Sequence, residues 1–321
     1  MEKTFNPKPW LRSPHLQSML ASLKIRSLGR NEMVRCARRM IIDGGGGVRL
    51  LGYHSVQRDN ASRGLVLLLH GWEGSVNSAY MLHTGRYLFE RGYNIFRLNL
   101  RDHGESHHLN QGLFHGALIE EVVKAAENIS SLSHRKPFYI IGFSLGGNFA
   151  LRIALSSFDK LNRVLCVSPL LDPYKTTQAI DEGLSPYRYY FLRKWKRSLK
   201  KKENLFPQLY NFEKAYPMRS LMEITDYFVN NYSDFKDCRD YFRRYTLLDD
   251  TFSELKAPVT IYAASDDPVI PVSDYHTLKT NHNMHISLQP YGGHCGFVDT
   301  LMSGTWYERR IIETLIEKEK T

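Results

Sequence analysis

The sequence predicts an α/β fold: a mostly parallel sheet covered by helices on both faces, with a helical insertion. Three observations carry that prediction. Short apolar runs such as Leu65–Leu69 and Phe138–Ile141 alternate with segments of helical length, as in sheets whose strands are buried on both faces and joined by crossover helices. His70, Asp102, Ser144 and Pro169 all fall at the carboxyl ends of such runs, where open parallel sheets bind their ligands. From about Leu170 to Leu255 the alternation stops for a stretch far longer than a crossover helix requires. The organisation that follows is a core over residues 1–169 and 256–321, with an N-terminal arm over 1–30 and a helical lid over 170–255.

The first thirty residues mix prolines, aromatics and basic side chains without a long periodic pattern. They read as an arm packed over the core, anchored by Trp10, Leu16 and Leu20. Arg35 to Ile42 and Val48 to Val56 read as strands joined by Gly44–Gly47. That glycine run is a hairpin turn and not a phosphate cradle, because it lacks the Lys-Ser/Thr pair and the helix of a P-loop. Leu65 to His70, Asn94 to Leu100, Phe138 to Phe143 and Arg163 to Val167 read as strands, with helices over Ser78 to Glu90 and Ala117 to Ser130. Leu145, Phe149, Ile153 and Ala154 repeat at helical spacing. Beyond the insertion, Pro258 to Ala264 and His285 to Gln289 read as strands, with helices over Val272 to Thr280 and Trp306 to Lys318.

The 321 residues suffice for one large domain, and 42% hydrophobic with 24% charged residues is an ordinary globular composition. The longest aliphatic run is far short of the roughly 20 residues of a membrane span, and no apolar signal-peptide core opens the chain. Cys36, Cys166, Cys238 and Cys295 are scattered without a C-x-x-C pair, which reads as reduced thiols in a cytoplasm. A net charge of +10 points to an acidic partner of unspecified kind.

The chemistry gathers at Gly142-Phe143-Ser144-Leu145-Gly146, where a buried strand meets a helix. A sharp turn there lifts the Ser144 hydroxyl above the sheet edge, and the flanking glycines allow strained angles and close backbone approach. A serine hydroxyl is a poor nucleophile at neutral pH and needs a base, itself held in one tautomer by a third group. His294 and Asp267 stand just past the last two strands, giving the chain order Ser, Asp, His. Asp266 competes with Asp267, but Asp267 stands four residues before Pro271 and is preferred. Two backbone N–H groups must meet a developing oxyanion; Leu145 and Trp72 are the candidates, with His70 bracing the loop that carries Trp72.

Other readings are weaker. His103, His107, His108 and His115 lack the i, i+4 helical pairing of a metalloprotease, so no metal is assigned. The insertion holds more than half of the nineteen tyrosines beside Arg193-Lys-Trp-Lys-Arg197 and Lys200–Lys202. Basic plus aromatic without a recognisable module does not make a nucleic-acid site; a lid with aromatic lining, solvated lysines and some attraction to a membrane surface fits better.

With these motifs placed, the chain resembles the α/β-hydrolase superfamily over nearly its whole length. Within it the chain is similar to the YheT-like esterases and their relatives among lipid-metabolising hydrolases and medium-chain alcohol acyltransferases. The resemblance rests on Pro14-His15-Leu16-Gln17, His70-Gly71-x-Glu73-Gly74-Ser75, the Ser144 elbow, Ser265-Asp266-Asp267-Pro268 and Gly292-Gly293-His294-x-Gly296-Phe297. It departs at Arg101-Asp102-His103-Gly104, where that group more often carries an Arg-Gly turn. The resemblance implies Ser144 as nucleophile, Asp267 as acid, His294 as base and a small-molecule ester as substrate, without cofactor. Transfer of the acyl group to an alcohol, or ligand binding without turnover on the same fold, are the alternatives.

Overall fold

The computed structural model describes residues 4–23, 29–58, 61–300 and 304–317. Eight strands form one sheet in the order β1-β2-β4-β3-β5-β6-β7-β8. They are β1 (Arg38–Asp43), β2 (Arg49–Ser55), β3 (Leu65–Leu69), β4 (Asn94–Leu98), β5 (Phe138–Phe143), β6 (Arg163–Val167), β7 (Val259–Ala264) and β8 (Met284–Gln289). Strands β3 to β8 run parallel, while β1 and β2 form an antiparallel hairpin on one edge. The Gly44–Gly47 turn closes that hairpin, with Gly45, Gly46 and Gly47 all at positive φ.

The two-residue period of a strand divides the core. Leu65, Leu67 and Leu69 of β3 face one apolar cluster, while Val66 and Leu68 face the other. Helices α4 (Ile119–Ser130) and α5 (Leu145–Leu155) supply the first cluster, and α3 (Ala79–Phe89) and α11 (Trp306–Glu317) the second. This doubly covered sheet is the predicted fold class. Between β6 and β7 lie α6 (Pro173–Glu182), α7 (Ser185–Leu205), α8 (Leu221–Tyr232) and α9 (Cys238–Arg243). Asp181, near the end of α6, accepts from Leu221 and Met222 N–H at 2.8 and 2.9 Å, joining α6 to the start of α8. Among the described residues, no helix is long and apolar enough to cross a membrane.

Three elements differ from the sequence reading. Trp10 is 63% exposed and is not an anchor of the arm; the short 3-10 turn Pro9–Leu11 points Leu11 inward and leaves the indole outside. Phe5, Leu11, Leu20 and Ala21 are buried apolar side chains of that arm, with Leu16 partly buried. The arm also contains a helix, α1 (Pro14–Ser22), whose start is marked by Ser13 as cap and Pro14 in the first turn. The helix read over Val272 to Thr280 is a single turn, α10 (Ser273–His276). At the other end of the chain the described part of the final helix stops at Glu317, so Lys318 lies outside the described residues.

Candidate active site

Strand β5 ends at Phe143 and α5 begins at Leu145, which leaves Ser144 alone to turn the chain, at φ 52° and ψ −119°. Such a left-handed angle costs a non-glycine residue about 1–3 kcal/mol. The turn is held by Ser144 N–H donating to Val167 O at 3.1 Å and by Leu170 N–H donating to Ser144 O at 3.1 Å. A Cβ on Gly142 would lie 2.3 Å from Gly146 O, and one on Gly146 would lie 2.3 Å from Leu69 O. Both glycines are therefore required by backbone contact. Glu73, Asp102, Ser168, Cys295 and Phe297, in the loops after neighbouring strands, are also left-handed, so strain concentrates around this end of the sheet.

The loop after β8 brings His294 to the loop after β7. His294 Nδ1 lies 2.9 Å from Asp267 Oδ2. The other Asp267 oxygen accepts from Val269 and Ile270 N–H at 2.8 and 3.0 Å, which fixes the carboxylate. Burial, the largest single effect, opposes a charge on the imidazole, but the Asp267 carboxylate and the neighbouring Cys295 together hold His294 well above the usual histidine range. Asp266 has a different job: its Oδ1 accepts from Gly293 N–H at 2.8 Å and closes the turn that carries His294. Cys295 Sγ and Ser144 N–H both meet Val167 O, so the histidine loop and the elbow share one corner of the sheet.

The turn after β3 supplies the third wall. A Cβ on Gly71 would lie 3.2 Å from Ser144 Cβ, so Gly71 lets this turn close on the serine. Leu145 N–H opens α5 and has no acceptor within the helix. Among the described residues Trp72 N–H has no acceptor either. Two neutral histidines clamp the turn. His70 Nδ1 is 2.8 Å from Gly71 O while its Nε2 accepts from Leu100 N–H. His103 Nδ1 is 2.7 Å from Arg101 O while its Nε2 accepts from Glu73 N–H. Each ring thus carries its proton on Nδ1, and burial pushes His70 well below the usual range and His103 down to about 4.

Ser144, Leu145 and Trp72 line an apolar pocket of about 1020 Å³, mouth included. Its remaining walls come largely from α6 to α9, including Ile180, Phe228 and Phe242. The Trp72 ring stacks on Phe191 at 5.5 Å and meets Trp195 edge-on at 5.1 Å, so α7 holds the side chain of a candidate oxyanion residue. Lys202, 1% exposed, pins the far end of α7: its Nζ reaches Asp102 Oδ1 at 2.7 Å and the carbonyls of Asn110 and Gly112 at 2.7 and 3.0 Å. Asp102 stands at φ 54°, and its carboxylate is held there by that ammonium.

The histidines weighed for a metal are dispersed. His107 Nε2 lies 2.8 Å from Ser198 Oγ, and His115 packs edge-on against Phe235. Among the described residues no group of three His, Cys, Asp or Glu side chains is placed to hold a metal ion. All four cysteines are free thiols.

Sequence reasoning gave no structural role in the site to three contributors. Gln17 is fully buried and bonds Val298 through both its amide atoms, at 2.7 and 2.9 Å. Ser18 Oγ accepts from His294 N–H at 2.8 Å and donates to Pro14 O at 2.7 Å. Helix α1 therefore seats on the histidine loop, where Gly293 and Gly296 leave room for Pro14 O and Gln17 O. The third is the clamp by His103. The helix-start signal at Ser13-Pro14 was available; the long-range partners were not.

The family model for the alpha/beta hydrolase fold matches residues 64–299. Phospholipase ABHD3 of Mus musculus is 24% identical over 254 residues, which is 77% of this chain and 61% of the relative, so the chain spans less than two thirds of that protein. An abhydrolase domain-containing protein of Dictyostelium discoideum is 19% identical over 97% of this chain and 80% of its own length. Among solved structures, the Pyrococcus furiosus esterase Pf2001 superposes with a TM-score of 0.54 at 18% identity, covering 88% of this chain and 92% of the esterase. A bacterial membrane phospholipase A superposes with a TM-score of 0.57 at 17% identity, covering 94% and 92%. With a family match across residues 64–299, most of its length, the chain belongs to the alpha/beta hydrolase fold family.

Proposed function

We propose that the protein is a serine hydrolase that cleaves carboxylic esters with apolar acyl groups. The observation that carries the reading is a strained serine lining an apolar pocket, with a part-buried histidine and carboxylate pair on the neighbouring loops. In the proposed reaction His294 takes the Ser144 proton as Oγ bonds to the ester carbonyl carbon. The carbonyl oxygen becomes an oxyanion, held by the Leu145 and Trp72 N–H groups. Asp267 holds the imidazole with its proton on Nδ1 and favours its charged form. The C–O bond to the alcohol then breaks, and His294 returns the proton to the leaving oxygen. Water repeats the steps on the acyl-enzyme, releasing the acid and restoring Ser144.

The helices over 170–255 act as a lid in this reading, because they wall the pocket and hold Trp72. The names of the phospholipase and esterase relatives support an ester substrate, and the sequence motifs favour placement near the YheT-like esterases and their acyltransferase relatives. The reading keeps the protein in the cytoplasm, with the basic lid as the surface for any membrane contact. A series of p-nitrophenyl esters tests the reading: kcat/KM should rise from acetyl to medium chains, and added ethanol should report transfer as ethyl ester. A flat profile, or one confined to acetyl, removes the apolar-acyl claim.

A further inference from the structure

Helix α7 lies across the loops that form the site, and one of its faces meets each of them in turn. Tyr187, Phe191, Trp195, Ser198 and Lys202 recur along that face at helical spacing. Phe191 and Trp195 hold the Trp72 ring, and Lys194 Nζ donates to Glu73 O at 3.0 Å, so the middle of the helix is fastened to the turn after β3. Ser198 and Lys202 fasten its far half to Asp102. The near end is fastened to the N-terminal arm, where the Tyr187 hydroxyl lies 3.0 Å from His15 Nδ1 and the two rings are 5.8 Å apart.

The arm also supports the candidate base. His15 and Ser18 are one turn apart on α1, and Ser18 Oγ accepts from His294 N–H at 2.8 Å. The Tyr187 hydroxyl has Ser18 as a second hydrogen-bond partner and feels the Asp267 charge. Burial, opposed by Ser18 and reinforced by Asp267, raises that phenol above the ordinary tyrosine value. Tyr187 therefore stands beside both groups that fix His294, one on its backbone and one on its ring. It is not among the residues that line the apolar pocket, so its hydroxyl serves the arm and not a substrate.

We infer that Tyr187 and His15 are positioning residues for His294: they tie the lid to the arm, so that the helix which holds Trp72 also holds the loop of the base. Ser18 gives its one hydroxyl proton to Pro14 O at 2.7 Å, which leaves the phenol to donate to Ser18 and to accept from His15 Nδ1. With that chain in place, Ser18 Oγ is held against the His294 N–H from the lid side as well as from α1. The inference deepens the ester-hydrolase reading and rests on it for the role of His294. It gives a function to the histidine of Pro14-His15-Leu16-Gln17, which neither the pocket nor the set of Ser144, Asp267 and His294 uses.

The test uses the full chain and p-nitrophenyl hexanoate. Tyr187→Phe keeps the ring and removes the hydroxyl; kcat should fall about tenfold at unchanged KM, the cost of a small displacement of the base. His15→Ala should lower kcat in the same way. In a chain that already carries Ser18→Ala, Tyr187→Phe should cost nothing further, because the path to His294 is already cut. Tyr189→Phe, at a site 66% exposed on the same helix, should change neither constant. An unchanged kcat in Tyr187→Phe overturns the proposal. So does a loss that multiplies with that of Ser18→Ala, or a rise in KM at unchanged kcat, which would place the phenol in substrate binding. Amide hydrogen exchange read by mass spectrometry keeps the two claims apart. Over residues 292–298 it should quicken in Tyr187→Phe while the strands stay at the native rate; exchange that is unchanged there, or that quickens throughout the sheet, overturns the proposal. If the native chain cleaves no ester yet its exchange responds in this way, the tie stands and the hydrolase reading falls.

Discussion

Asp266 and Asp267 are adjacent and chemically identical, yet the fold gives one the imidazole and the other a backbone N–H. The consequence is measurable. Asp267→Asn should lower kcat by about 10⁴, as loss of the tautomer-fixing carboxylate does in serine hydrolases, whereas Asp266→Asn should cost far less. The pH dependence carries a sign as well. The Asp267 carboxylate raises His294 against the effect of burial, so the acid limb of kcat/KM should lie above the ordinary 6.5 and move down in Asp267→Asn. A limb at or below 6.5 in the native chain contradicts that account. At this scale the sequence was informative where chemistry demands a residue type at a fixed offset, as with Ser144 between two glycines. It gave no role to Ser18 or Gln17, whose polar side chains find their partners some 280 positions away.

Helix α1 shows how an element far from the chemistry can set it. Its Ser18 holds the His294 backbone and its Gln17 holds Val298, so the histidine loop is bounded by Asp266 on one side and the arm on the other. Ser18→Ala should lower kcat by about ten- to a hundredfold with little change in KM, because a small displacement of the base costs reaction rate and not binding. A rise in KM at unchanged kcat would place Ser18 in substrate binding instead. Gln17→Ala leaves the buried Val298 backbone groups unpaired and should destabilise the fold by about 1–3 kcal/mol, read as a shift in urea midpoint. The strands were legible because runs such as Leu65–Leu69 are buried on both faces and carry no competing pattern. The arm was not, since its short helix α1 is held by side-chain hydrogen bonds and glycine clearances that leave no periodic trace.

For the whole molecule, the same burial that shapes the site limits its range of pH. His54, His103 and His115 are pushed down to about 4 and His107 to about 3, with His70 well below its usual value. Folded values below the ordinary 6.5 mean that the unfolded chain takes up protons first. Stability from these groups is whole above pH 6.5 and is lost as the pH falls through about 4. Urea midpoints at pH 7, 5.5 and 4 should therefore fall less in His103→Gln than in the native chain; equal slopes in the two would contradict it. The fold class followed from alternation and from the clustering of chemistry at strand ends, both global regularities. The path of 170–255 did not, because its helices are placed by contacts with Trp72 and Asp102 that no local pattern announces.

The account stands on an activated serine at position 144. Its most direct test is labelling of the native chain with a fluorophosphonate probe, followed by mass spectrometry of the modified peptide, beside Ser144→Ala and His294→Ala. The account predicts one label on Ser144, absent from the first variant and slowed by about 10⁴ to 10⁶ in the second. A label on another residue, or labelling that persists at the native rate without His294, would contradict it.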